Sequence, residues 1–218
     1  MFVTLDTINP IDMKSVDGPT GRFYTTPVGM KYPSITTILG SGDKPWLTEW
    51  RNSMGVDNAN KEMKRAADRG TAVHLMLERY LQNDPDPTKD QRIEHIVEFN
   101  SLKMHIKKVN NIIAQEIALF SDVLGVAGRV DCIAEYQGKL SIIDFKTSNR
   151  DKSANMIEDY YKQTTFYALA FEEMYDIHIE NIVIIMSVEK GLPLIFRENV
   201  DDWIEPLVTK ISNYKSIN

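Results

Sequence analysis

Asp131, Asp144 and Lys146 are the residues of this 218-residue chain whose types and spacing point most directly to chemistry. They share one run, Gly128-Arg129-Val130-Asp131-Cys132-Ile133-Ala134-Glu135-Tyr136-Gln137-Gly138-Lys139-Leu140-Ser141-Ile142-Ile143-Asp144-Phe145-Lys146-Thr147. Two carboxylates and an ammonium brought together can hold a divalent cation beside a phosphate. Carboxylates that close repel each other unless a cation or a shared proton relieves them. Hard oxygen donors with few His or Cys favour magnesium or manganese over zinc. Such an ion can activate water and polarise a phosphoryl oxygen, while a lysine offers a point charge to the nucleophile or the developing phosphorane. Those are the requirements of phosphodiester hydrolysis. The competing reading is a surface hairpin with solvated charges.

Position depends on the hairpin. Val130, Cys132 and Ala134 in one arm, and Leu140, Ile142, Ile143 and Phe145 in the other, are separated by polar Gln137-Gly138, a two-residue turn. Tyr136 then faces Lys139, which sets Asp131 across from Asp144 and Arg129 across from Lys146. Opposed residues share a face with Cβ atoms roughly 4.5–5.5 Å apart. Lys146 follows Asp144 by two, so it points the same way at a rise of about 3.3 Å per residue. A one-residue slip would part the two carboxylates.

Two helical stretches carry further candidates. Gly70, His74 and Glu78 stack on one face at four-residue steps. His74 is either a packing residue or a nitrogen ligand facing the carboxylates, with Gly70 leaving room for DNA or the sheet. Tyr160, Gln163 and Tyr167 share a face of the helix after the hairpin and either brace the lysine, bind phosphate or fill the core. Lys61, Lys64, Arg65 and Arg69 fall within nine residues, with Lys103, Lys107 and Lys108 as a second group. Each group is a solvated helix face or a set of phosphate contacts. Trp46 and Trp50, at i, i+4 after Pro45, are core or base-stacking residues.

The remaining pattern predicts short strands and turns before residue 40, with Tyr32–Leu39 leading into a helix. Helices are expected over 58–81, over 90–111 with Ile93, Val97, Met104 and Val109 among the apolar positions, over 159–175 and over 201–214. Strands are expected over 112–120, 182–187 and 194–197, with Asn83-Asp84-Pro85-Asp86-Pro87 as a loop. Helix, strands, helix and strands predict an α/β fold with a mixed central sheet flanked by helices. Residues 1–218 read as one domain: 1–56 strands and a short helix, 57–111 the helical part with His74, 112–200 the sheet core, and 201–218 a terminal helix.

Composition sets limits. A net charge of −6 argues against nonspecific coating of nucleic acid but permits a local basic track. Apolar runs such as Ile182–Met186 are far too short for a bilayer, so no membrane association is expected. The single Cys132 excludes a disulfide framework and cysteine-ligated clusters. No targeting segment is visible, and a reducing intracellular setting, such as the cytoplasm of a bacterium or phage-infected cell, is expected.

Taken together, Gly70-xxx-His74, Gly128-Arg129-Val130-Asp131, Asp144-Phe145-Lys146 and Gln163-xxx-Tyr167 resemble, in order and spacing, the motif series of the PD-(D/E)xK nuclease superfamily, in its RecB-like exonuclease branch. Pro33-Ser34-Ile35-Thr36-Thr37-Ile38-Leu39 is similar to a segment of a group in that branch with mitochondrial, phage and bacterial members. The resemblance spans roughly residues 30–210 and implies a restriction-endonuclease-like core. It implies that His74, Asp131, Asp144 and the Phe145 carbonyl bind Mg2+ or Mn2+, with Glu116 as a further acidic position and Lys146 as the catalytic lysine. Gln163, Tyr167 and Glu78 would support the site. It also implies single-stranded DNA ends threaded beside Lys61, Lys64, Arg65, Arg69, Trp46 and Trp50. The expected protein is a monomeric, metal-dependent DNA exonuclease giving 5′-phosphate products. The alternatives are a flap or junction endonuclease and a DNA-binding module with a decayed site.

Overall fold

The computed structural model describes residues 1–42 and 44–217. A small antiparallel sheet of β1 (Lys14–Gly18), β2 (Gly21–Thr25) and β3 (Lys31–Pro33) comes first. A short helix α1 (Ile35–Gly40) follows, capped by Ser34, whose hydroxyl accepts from the Thr37 N–H at 3.0 Å. Pro45 opens α2 (Pro45–Met54), where the first helical turn tolerates its missing N–H. Then come α3 (Val56–Leu81) and α4 (Ile93–Ile106).

A five-stranded sheet carries the rest, in the order β4 (Val109–Ser121), β5 (Val126–Tyr136), β6 (Lys139–Ser148), β7 (Asn181–Val188) and β8 (Leu194–Asn199). Pairing is antiparallel except between β6 and β7, which are parallel and therefore need a crossover. α5 (Glu158–Tyr175) supplies it, and α6 (Asp201–Ile217) closes the described chain. This is an α/β fold with a mixed sheet flanked by helices, as the sequence predicts.

Each sheet face buries its own core. Ile142 and Ile184 pack with Phe166 and Phe171 of α5 and Leu207 of α6, whereas Ile143, Phe145 and Ile185 pack with Val73 and Leu77 of α3 and Phe99 and Leu102 of α4. The alternation along β6 turns Asp144 and Lys146 to the α5 side and Phe145 to the α3 side. Fully burying such a side chain contributes about 1.5–3 kcal/mol, so two apolar layers fix the position of the polar residues between them.

The hairpin forms in the predicted register. Gln137 and Gly138 both take positive φ, 53° and 78°, as a two-residue hairpin turn requires. Tyr136 pairs with Lys139 and the ladder continues to Cys132 with Ile143. There it stops, one pair short of the expected Asp131–Asp144 opposition, and Arg129 does not pair with Lys146 either. Arg129 pairs instead with Ala118 of β4, and Asp144 with Ile184 of β7. The side chain of Asp131 takes the place of a ladder bond: its Oδ2 accepts the Phe145 N–H at 2.8 Å, and β5 and β6 part beyond it.

The helix expected over 90–111 is shorter and faces the other way. α4 ends at Ile106, and Val109 to Asn111 belong to β4. Ile93, Val97 and Met104 point to solvent at 80%, 62% and 72% exposure. His95, Phe99, Leu102 and Ile106 are buried. The chain offers two apolar stripes at helical spacing, and the sheet selects the one with the aromatic ring. β4 accordingly begins at Val109 rather than at the expected residue 112, with a register shift between Asn110 and Ala114.

Candidate active site

His74 on α3, Glu116 on β4 and Asp131 on β5 meet where β5 leaves β6. One potential ligand atom from each lies within 4.8 Å of the others. His74 Nδ1 is 3.5 Å from Asp131 Oδ2, and its ring meets Phe145 edge-on with centroids 6.2 Å apart. Glu116 reaches the cluster through a left-handed backbone conformation, φ 52°, inside an otherwise regular ladder. Gln115 pairs with Cys132 and Ile117 with Val130, so Glu116 stands opposite Asp131. A non-glycine residue held there costs on the order of 1–3 kcal/mol and persists only where neighbours enforce it. One such neighbour is Arg129, whose Nη1 donates to the Glu116 carbonyl at 2.9 Å. Burial, with Asp131 and Glu78 adding repulsion against the attraction of Arg129, pushes the Glu116 carboxyl up to about 7.

Behind this cluster Asp144 has no exposed surface, and the Lys146 ammonium is ion-paired to its Oδ2. Lys146 is the group that answers Oδ2, whereas Oδ1 is buried with no hydrogen-bond partner among the described residues, which is costly for a carboxylate. Burial outweighs the attraction of Lys146 and raises the Asp144 pKa to about 6, with Asp131 adding to the rise. Burial opposes the Lys146 charge in turn, yet Asp144 and Asp131 together hold its pKa above the usual lysine value. The Lys146 Nζ also sits 5.0 Å from the centroid of the Tyr160 ring, a cation–π contact. Asp144 lies outside the set of three whose atoms converge within 4.8 Å.

The helix α5 braces the site. Gln163 Nε2 donates to the Tyr167 hydroxyl at 3.0 Å, and both residues are buried. Burial lifts the Tyr167 pKa well above the usual tyrosine value, and Asp144 adds to it. Tyr167 packs so closely on β5 that a Cβ at Gly128 would lie 2.7 Å from its ring and 3.2 Å from Ile35. Only glycine fits there. Gly70 is different: a Cβ would meet Thr147 Oγ1 at an ordinary 3.6 Å, so close approach does not demand glycine at that position.

His74, Glu116, Asp131, Gln163 and Tyr167 line a cleft of about 550 Å³, whereas Asp144 and Lys146 are not among its lining residues. Gly70, Thr71, His74, Leu75 and Glu78 of α3 form one wall, and Arg22, Tyr24, Ser34 and Thr36 form the wall opposite. Glu116, Arg129, Asp131, Gln163 and Tyr167 lie between. The sequence reading missed Arg22 and Tyr24 entirely. No motif marks them, and they join the site only because the small sheet packs beside β5.

The expected nucleic-acid contacts divide. Lys61 and Lys64 are exposed on α3, Lys64 in an ion pair with Asp68 at 2.7 Å. At about 100° per residue, Lys64 falls in line with Thr71 and Leu75 on the cleft side. Arg65 instead bridges Glu62 and Glu189 at 2.7 and 2.8 Å. Arg69 is withdrawn from the surface: its side chain is 3% exposed and bonds Glu189 at 2.8 Å and Asn149 at 2.5 Å. It ties α3 to the ends of β6 and β7 rather than facing solvent. Trp46 is 65% exposed and Trp50 half-buried on α2, which buries no residue, and neither lines the cleft.

Residues 89–183 match the family model for the PD-(D/E)XK nuclease superfamily. The match spans Glu116, Asp131, Asp144, Lys146, Gln163 and Tyr167, while His74 precedes it. The chain is 29% identical over 175 residues to the human mitochondrial genome maintenance exonuclease 1, covering 74% of this chain and 50% of that protein. The mouse protein of the same name is 26% identical over 174 residues, covering 74% and 51%. The chain thus spans about half the length of the curated relatives it matches. A Eubacterium rectale protein of solved structure superposes with a TM-score of 0.47 at 11% identity, covering 66% of this chain and 63% of that one. Nucleases of this superfamily use divalent metals, and a nitrogen donor with two carboxylates beside an unsatisfied buried aspartate is a donor set that suits one. Among the described residues no helix is long and apolar enough to cross a membrane.

Proposed function

We propose that this nuclease domain is a metal-dependent DNA exonuclease that prefers single-stranded ends and releases 5′-phosphate products. The observation that carries the reading is the convergence of His74, Glu116 and Asp131 within 4.8 Å, with Asp131 and His74 both acting electrostatically on the buried Asp144 that Lys146 pairs. His74, Glu116, Asp131, Asp144 and the Phe145 carbonyl would hold Mg2+ or Mn2+, which when bound supplies an activated water and neutralises phosphate charge. Asp131 orients the cluster by fixing the Phe145 N–H. Lys146 holds its proton beside the buried carboxylate and offers a cation to charge developing on the phosphate. Gln163 and Tyr167 keep the floor rigid, and Glu78 biases the site toward cations by raising the local negative field. Lys61 and Lys64 would meet the strand outside the cleft.

Magnesium-dependent digestion of 5′- and 3′-labelled linear strands beside circular single strands tests the reading. Linear single strands shorten, circles survive, and Asp144→Ala or Lys146→Ala lowers turnover at least about 100-fold, as loss of a transition-state charge contact does. Lys146→Ala retains DNA binding. Cut circles would favour the flap or junction endonuclease, and an unchanged Asp144→Ala rate would remove the site from the reaction.

A further inference from the structure

The cleft poses an electrostatic problem that one side chain answers. Glu78, Glu116 and Asp131 line it, and the chain as a whole carries −6. A polyanion approaching such a cleft is repelled before any ion is bound. Two arginines line it as well, Arg22 and Arg129. Arg22 is engaged elsewhere, donating to both oxygens of Asp17 at 2.8 and 3.2 Å. Arg129 is exposed, and among the described residues no carboxylate pairs with it within 4.0 Å. Among the described residues its hydrogen bond runs from Nη1 to the Glu116 carbonyl, which leaves the other guanidinium donors open to a ligand.

Its placement is specific. Arg129 precedes Asp131 by two on β5, so it stands on the same side of the strand and roughly 6.5 Å further along. That is about the spacing of successive phosphates along an extended single strand, close to twice the 3.4 Å stacked repeat. The bond to Glu116 also removes much of the rotational freedom of a long side chain, which lowers the entropy cost of gripping a ligand. The planar fork then suits a phosphate in two-pronged fashion.

We infer that Arg129 is a substrate-binding residue that grips the phosphodiester next to the one cleaved, held in place by the Glu116 carbonyl. This rests on the proposed nuclease function and adds to it a residue that sets where the strand lies. Structural support of Glu116 alone is the competing role, and the two roles move different readouts.

The test uses the full chain with a fluorescein-labelled single-stranded oligo(dT) 20-mer, in calcium to slow cleavage, titrated from 50 to 200 mM NaCl. Binding of Mn2+ in the absence of DNA is measured by calorimetry on the same proteins. Arg129→Gln weakens DNA binding several-fold at 50 mM NaCl and flattens the log–log salt slope by about 0.7, the value for one phosphate contact on a single strand. Arg129→Lys restores the slope but not the full affinity. The Mn2+ affinity of both variants stays within about twofold of wild type. An unchanged slope and DNA affinity in Arg129→Gln overturns the inference. So does a tenfold loss of Mn2+ affinity with the salt slope intact, since that assigns Arg129 to the support of Glu116 alone. A wild-type protein that binds no DNA removes the nuclease reading itself and is distinguishable from either result.

Discussion

At the residue scale the site is a set of charges held in forms they would not choose in water. Glu116 has an ordinary carboxyl value of 4.5 raised to about 7, and Asp144 one of 3.8 raised to about 6. A raised folded value contributes stability that is complete below the unfolded value and lost as pH climbs through the folded one. The metal-free protein should therefore melt at progressively lower temperature from pH 4.5 to 7.5. A divalent ion needs the deprotonated carboxylates, so its stabilising effect should grow over the same window. Calorimetric melts with and without Mn2+ at several pH values check both slopes. Glu116→Gln should flatten the metal-free decline and shrink the Mn2+ gain; an Mn2+ gain that is constant across pH would contradict the assignment. Asp131, Asp144 and Lys146 were legible from the sequence because a two-residue turn is local chemistry. Glu116 was legible only by resemblance, since its aim comes from a left-handed residue that pairing with β5 imposes.

At the element scale the decisive join is between α3, which brings His74, and the strands that bring the aspartates. Arg69 makes that join: it bonds Glu189 after β7 and Asn149 after β6 and lies 3.7 Å from Glu98 on α4. Removing one member of a buried ion pair leaves the others uncompensated, at a cost of about 3–5 kcal/mol. Arg65 contacts the same Glu189 from an exposed position, and such pairs are worth under about 1 kcal/mol. Urea melts should accordingly separate Arg69→Met, strongly destabilised, from Arg65→Gln, nearly unchanged. Equal losses would dismiss the buried network as the fastening. A run of basic residues on one helix reads alike whether it faces water or a neighbour. That is why the sequence grouped Arg69 with Lys61 and Lys64, and why Ile93 and Val97 stood among the apolar helix positions although α4 turns them to solvent.

At the scale of the whole molecule, the two apolar layers share one sheet. Ile142 and Ile184 belong to one layer and Ile143 and Ile185, their immediate neighbours in the chain, to the other. Neither layer can melt without exposing the strands of both, so unfolding should be a single transition. Far-ultraviolet dichroism and tryptophan fluorescence, with Trp203 packed on Tyr161 in one layer, should give coincident urea curves. Two separated midpoints would show the layers to be independent. The amino-acid order alone settled what depends on near neighbours: the turn at Gln137-Gly138, the alternation that puts Asp144 and Lys146 on one side, the helix face that groups His74 with Gly70 and Glu78, and the balance of charge. Folding in three dimensions decided which helix stripe turns inward, which arginine is spent on structure, and that Arg22 and Tyr24 wall the cleft. Those choices rest on how apolar surfaces compete to cover the sheet, a comparison among segments distant in the chain that no local spacing encodes.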